Sequence, residues 1–132
     1  MTDIIIDNEY ITVQYRSDIE AVHHTFHQAI EGYVLRNALD AGIGVLQRYG
    51  AIKWLSDDRN NAGVSPEDTE WSMNDWGPRA AEAGWKYWAL VVPESIAGRV
   101  DMSGIVQRFW ELGVRVNVFT SVEDAEDWLR SV

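Results

Sequence analysis

The 132 residues predict an α/β fold. A mixed sheet begins with antiparallel strands, continues as parallel β-α-β-α-β-α units, and carries its helices packed on the sheet. Three observations lead there. Two-residue alternation dominates the first 28 residues, and the apolar period becomes helical from residue 32. Short β-rich runs and helical stripes then take turns to the end of the chain, which implies parallel strands joined by right-handed crossovers.

Residues 4–6 and 10–15 are β-rich, with Ile11, Val13 and Tyr15 alternating with Thr12 and Gln14. Arg16-Ser17-Asp18 reads as a turn. Residues 19–28 complete a hairpin, Val22, His24 and Phe26 facing one way and His23, Thr25 and His27 the other. In residues 32–49, Leu35, Ala38, Leu39, Gly42, Leu46 and Tyr49 form one helical stripe. Gly42 and Gly44 weaken that helix by roughly 1 kcal/mol each relative to Ala, a cost that close packing on a sheet would offset. Gly50 ends it as a C′ residue.

Residues 52–55 read as the next strand and open into a polar run, Ser56, Asp57, Asp58, Arg59, Asn60 and Asn61. After a small-residue turn a helix starts, with Ser65 as N-cap, Pro66 at the first helical position and Asp68 three residues after the cap. Trp71, Met73, Trp76 and Ala80 are its apolar positions. Pro78 cannot donate to the carbonyl of Asn74, so a kink or break is expected at Gly77-Pro78. Residues 85–92 read as a strand with Trp85 and Trp88 on opposite faces, and unbroken apolar character over 89–92 marks it as central. Residues 94–101 read as a connector. Met102, Ile105, Val106 and Phe109 then form a stripe ending at Gly113. Residues 114–119 alternate with Val114, Val116 and Val118 inward, nearer an edge. Ser121 caps the last helix, which Val122, Ala125, Trp128 and Leu129 pack down.

Length and the lack of any linker or repeat predict one domain over 1–132. A formal charge of −10 opposes a nucleic-acid surface, which needs a basic stripe. Zero Cys excludes disulfides, thiolate catalysis and Cys-ligated zinc. No window approaches the ~18 apolar residues of a membrane span. The first ten residues hold no signal-like pattern, so a cytoplasmic protein of bacterial type is the expectation. The 7 Trp exceed what a core this small needs, which fits a Trp-lined pocket or a homodimer face.

The runs KWLSDDRNN…SPEDTEW, ALVVPESIAGRVDMS and VFTSVEDAEDWL, with the order of elements, resemble the SpoIIAA-like proteins. These are small bacterial single-domain proteins grouped with the STAS and CRAL-TRIO folds. The resemblance covers nearly the whole chain and implies a mixed sheet with helices packed on it. In anti-sigma-factor antagonists of that class, phosphorylation of a serine at the start of the helix after a comparable strand switches partner binding. Ser56 and Ser65 are the corresponding candidates. The compact Asp-Ser-Ser-Gly-type turn of those proteins is absent, and Asp57, Asp58, Glu67 and Asp68 would oppose a phosphate that only Arg59 could pair with.

His23 and His27 would lie about 13 Å apart on a strand, too far for one metal ion. Asp57, Asp58, Glu67, Asp68 and Glu70 could hold a divalent ion or act as acid and base, but capping and helix-dipole roles account for acids at such positions. No Gly-x-Ser-x-Gly elbow is present, and Gly42-Ile43-Gly44 lies inside a helix without the third glycine of a dinucleotide site. No catalytic residue, metal or cofactor is assigned. Trp110 sits beside its helical stripe, as a boundary core residue or an interface anchor.

The expected function is a non-catalytic binding or regulatory module. It would recognise a protein partner or a small, partly apolar ligand through the loop 56–65 and adjacent aromatics. The candidate residues are Ser56, Asp57, Asp58, Arg59, Asn60, Asn61, Trp71 and Trp76, around an apolar pocket between the kinked helix and the sheet, with Arg59 and Asn60 at its mouth. The alternatives are a divalent-ion-assisted enzyme built on the acidic cluster and a serine-phosphorylation switch.

Overall fold

The computed structural model describes residues 2–61, 65–100 and 104–132, with the backbone alone for Arg99 and Val100. Strands β1 (Thr2–Asp7), β2 (Ile11–Arg16), β3 (Ala21–Phe26), β4 (Lys53–Asp57), β5 (Tyr87–Val91) and β6 (Arg115–Phe119) form one sheet whose spatial order is the sequence order. The first three pair antiparallel, and β3 through β6 pair parallel. The mixed α/β sheet, the early hairpins and the edge position of β6 are as the sequence predicts.

A parallel sheet built in sequence order, with every crossover of one hand, puts all connecting helices on the same face. Those helices are α1 (Tyr33–Tyr49), a segment between β4 and β5 that holds α2 (Pro66–Trp71) and α3 (Gly77–Glu82), and α4 (Glu94–Val100) with α5 (Ile105–Glu111). Their core residues, among them Leu35, Leu46, Trp76, Ala80 and Phe109, pack on Val22, Phe26 and Trp54 of the sheet. After β6 the chain crosses to the other face as α6 (Val122–Ser131), capped by Ser121, whose Oγ accepts the Asp124 N–H. Ala125 and Leu129 of α6 lie on Ala21, Leu55, Ala89 and Val91, small or smooth side chains that let the helix sit close. No helix among the described residues is long and apolar enough to cross a membrane.

Four expectations change in the structure. Strand β4 runs on through Ser56 and Asp57, because both neighbours continue to pair with it, Thr25 and Val91 flanking Asp57. The expected connector at 94–101 contains helix α4, whose first amide bonds fall on the Pro93 carbonyl. Trp85 precedes β5: the N–H groups of Lys86 and Tyr87 both reach the Ile52 carbonyl, so regular pairing begins only at Tyr87. Its ring therefore joins that of Trp88, at 5.3 Å between centroids, and does not face the opposite side. The break expected at Gly77-Pro78 is absorbed one turn earlier by a π-helical turn, Ser72–Trp76, which joins α2 to α3 without interruption. The small-residue turn at 62–64 and Met102 lie outside the described residues.

Gly42 and Gly44 differ in what surrounds them. A Cβ on Gly42 would stand 2.2 Å from the Cη2 of Trp54, whereas one on Gly44 would meet nothing within 4 Å. Gly42→Ala is expected to lose about 1–3 kcal/mol through overpacking. Gly44→Ala, at an exposed helical position, is expected to gain about 0.5–1 kcal/mol. Urea denaturation of the two variants separates them, and equal effects would refute the contact between α1 and Trp54.

Candidate functional site

Strand parity decides where each polar residue of the central run goes. On β4, Trp54 and Ser56 face the connecting helices, while Lys53, Leu55 and Asp57 face α6. On β3, His24 and Phe26 share the helix face, and His23 and Thr25 share the α6 face.

On the helix face, at the carboxyl ends of β3, β4 and β5, the sheet and helix layers part to leave a cavity of about 330 Å³. Trp54, Trp76, Trp85, Trp88 and Phe109 line it, with aliphatic side chains from α1, α4, α5 and β5. The rings meet edge-on or tilted, with Trp54–Trp76 centroids at 5.2 Å, Trp76–Trp85 at 5.3 Å and Trp88–Phe109 at 4.9 Å, the arrangement aromatic quadrupoles favour. The π-helical turn places Trp76 so that its indole N–H donates to the Leu39 carbonyl at 2.9 Å, pinning this segment to α1. The Trp85 N–H donates to the Tyr87 carbonyl.

One end of the cavity is polar, and His24 organises it. The Trp54 indole can only donate, and it donates to His24 Nδ1 at 2.9 Å. Nδ1 therefore carries no proton in this arrangement, and the ring proton is on Nε2. Nε2 lies 2.8 Å from Asp58 Oδ1 and 2.9 Å from Ser56 Oγ. Ser56 donates its hydroxyl to the same Asp58 oxygen at 2.6 Å. Serine, histidine and aspartate thus meet without forming a hydrolytic relay. In such a relay the imidazole offers its lone pair to the serine and its N–H to the carboxylate. Here both partners share the N–H, and the lone pair is occupied by Trp54.

Asn61 also lines the cavity. Its Oδ1 accepts the Ile30 N–H, and its buried Nδ2 has no hydrogen-bond partner among the described residues. Asp68, at the head of α2, accepts from the Gly32 N–H, Arg36 Nε and Ser65 Oγ. Burial alone would raise its pKa, but these donors hold it below the usual carboxylate value.

The sequence candidates divide accordingly. Ser56, Asp58, Asn61 and Trp76 line the cavity. Asp57 points to the α6 face, where both of its carboxylate oxygens pair with Arg59 at 2.8 Å. Burial acts to raise Asp57, and the Arg59 bonds outweigh it and lower the pKa. Arg59 and Asn60 are therefore not among the residues lining the cavity; Asn60 Nδ2 donates to the Phe26 carbonyl. Trp71 is half-buried outside the cavity, with the Arg36 guanidinium 5.2 Å and that of Arg79 5.9 Å from its ring. Of the candidate serines, Ser56 is fully buried, and Ser65 serves as the α2 cap, accepting from the Asp68 N–H. The described residues contain no group of three or more His, Asp or Glu able to hold a metal. Trp110 is exposed, with the Arg115 guanidinium 4.3 Å from its ring.

His24, Trp54, Trp85, Trp88 and Phe109 were not among the candidates. His24 carried a usable signal, since a histidine between Val22 and Phe26 at two-residue spacing belongs to the buried face of a strand. Comparison with protein-family models, with curated proteins and with solved structures gives no match for this chain.

Across the sheet from the cavity, His23 is buried beside Arg16, whose Nη1 lies 3.5 Å from its Nδ1. Burial, helped by that positive charge, lowers its pKa from 6.5 to about 4. Between those values the unfolded chain binds more protons than the folded one, so stability falls as the pH drops through this window and is flat below it. At about 1.4 kcal/mol per pH unit the loss approaches roughly 3 kcal/mol. Asp57 and Asp68, with lowered pKa values, add their own loss only below about 3.8. His23→Gln should flatten the stability curve between pH 6.5 and 4 in urea titrations; a wild-type slope in the variant would remove His23 as its source.

Proposed function

We propose that the chain is a non-catalytic binding module that takes up a small, partly apolar molecule in the aromatic cavity. The observation that carries this is the roughly 330 Å³ space itself, walled by four indoles and two phenyl rings, with hydrogen-bonding groups at one end. Ligand sites are commonly about 300–1,000 Å³, mostly apolar, with a few placed polar groups. Close-packed interiors do not leave such a gap. Sealed and empty, it would cost about 8 kcal/mol at roughly 24 cal/mol per Å³, comparable to the whole stability of a domain. Filled with water it would hold about eleven molecules at about 30 Å³ each, most without polar partners on the walls. A ligand with an apolar body releases that water and restores dispersion contacts.

The hydrogen-bond pattern of His24 supports binding over catalysis, because its lone pair is committed to Trp54. Kinship with the SpoIIAA-like proteins belongs to the same proposal and is supported by the three sequence runs and the order of elements.

Native mass spectrometry of protein purified without detergent should show a bound small molecule. 2-Phenylethanol, a neutral probe, should displace it and shift the indole N–H signals of Trp54, Trp76, Trp85 and Trp88. Leu90→Phe places a larger side chain into the cavity and should weaken the probe at least tenfold. Because the added atoms enter open space, this variant should not suffer the roughly 1–3 kcal/mol loss of an overpacked core. An adduct-free protein whose indole signals ignore the probe would overturn the proposal.

A further inference from the structure

The charge of the cavity's ligand follows from its polar end. Asp58 lines the cavity, its side chain is mostly buried at 17% exposure, and the arginines near it are engaged elsewhere. Arg59, the next residue, turns to the opposite face of the sheet and pairs with Asp57 at 2.8 Å. Arg36 is held by Asp68 at 2.9 Å. The salt-bridge partner that the described residues offer Asp58 is His24. That pairing is between a carboxylate and a neutral ring, because the donor-only indole of Trp54 occupies Nδ1 and leaves a single proton, on Nε2. Asp68 also borders the cavity, but its charge is matched by Arg36, so the lining keeps the one unmatched charge of Asp58.

We infer that the cavity takes an organic cation, an apolar and preferably aromatic body carrying a protonated amine that pairs with Asp58. The inference rests on the binding reading above and specifies its ligand. A neutral occupant would return no countercharge to a partly buried carboxylate, and an anionic one would repel it. An ammonium supplies both the charge and the donors. Oδ1 of Asp58 already accepts from His24 and Ser56, so its fixed position presents the carboxylate to an incoming donor. The walls favour the same class, since indole faces attract cations. The chain's formal charge of −10 draws cations and repels anions at longer range.

Asn61 adds a second recognition element. Its N–H bonds the Asp58 carbonyl at 3.1 Å, so both side chains spring from one tight turn. The unpartnered Nδ2 suits an acceptor, a hydroxyl or carbonyl oxygen, placed close to the amine of the ligand.

Three probes with similar apolar bodies test the assignment: 2-phenylethylamine as its ammonium ion, 2-phenylethanol, and 3-phenylpropionate. Each is titrated at pH 7 into the full chain, with the indole N–H signals as readout. The amine should bind at least tenfold tighter than the alcohol, and the carboxylate at least tenfold weaker. Asp58→Asn should weaken the amine and favour the alcohol, until the two bind within about twofold of each other. Asp127→Asn removes the same charge from the exposed surface of α6 and should leave the amine's preference intact. Equal binding of amine and alcohol to the wild-type chain would overturn the cation and leave the cavity reading standing, whether or not the variants fold. A preference that survives Asp58→Asn, or that Asp127→Asn abolishes equally, would overturn the role of Asp58. Failure of all three probes to bind would remove the cavity reading and the cation with it.

Discussion

The indole of Trp54 is pressed against the backbone of α1 at Gly42, and the sheet and helix layers take their spacing from that contact. A Cβ at residue 42 would overlap the ring, so glycine is the residue that allows helix and strand to approach this closely. The same ring meets Trp76 and Trp85 edge-on or tilted, and its N–H sets the tautomer of His24. Helix docking, the aromatic array and the polar network thus share one side chain, and none of the three can be altered there without the others.

Polarity along residues 56–61 suggests a single recognition loop, but the backbone divides it. Continuing β4 by two residues sends Ser56 to the helix face and Asp57 to the α6 face. Asp57 then takes Arg59 with it into a two-pronged pair, which leaves Asp58 facing the cavity without a guanidinium. The pairing of Asp57 with Arg59 is therefore a condition for the electrostatics of the cavity as well as an anchor of the turn. Removing Arg59 would free a second carboxylate on the far face, yet the cavity lining would keep the same unmatched charge.

The alternating and helical periods made most elements legible, because burial on one face or both writes directly into side-chain polarity. The hairpins, α1 with Gly50 in a left-handed conformation, the Ser65 and Ser121 caps, and β6 all lie where residue pattern and capping chemistry place them. The end of β4 was not legible, since Ser56 and Asp57 are buried with partners that only the tertiary structure supplies. Helix α4 was missed because its seven residues carry no extended apolar stripe and include Gly98, a weak helix former. The cavity was legible as an aromatic surplus beside a proline-disturbed helix. Its rim was misread, as Arg59 and Asn60 satisfy other groups. The π-helical turn has no local signature beyond Pro78, whose missing N–H disturbs the preceding turn.

That turn also borders the space, through Ser72 and Trp76. At Gly77 a Cβ would meet Phe109 Cε1 and the Ser72 carbonyl at 2.8 Å, so glycine lets α3 approach α5 there. Trp76, held to Leu39 of α1, then forms a fixed wall. The rings of Trp54, Trp76 and Trp85 cannot turn into the gap without breaking the N–H bonds that orient them. Each such bond, once buried, costs about 1–3 kcal/mol to abandon. Filling the cavity by rearrangement would require several of these losses at once, whereas filling it with a molecule from outside requires none. A partly apolar space bordered by a carboxylate that faces no guanidinium is thus maintained by the same hydrogen bonds that hold the core in register.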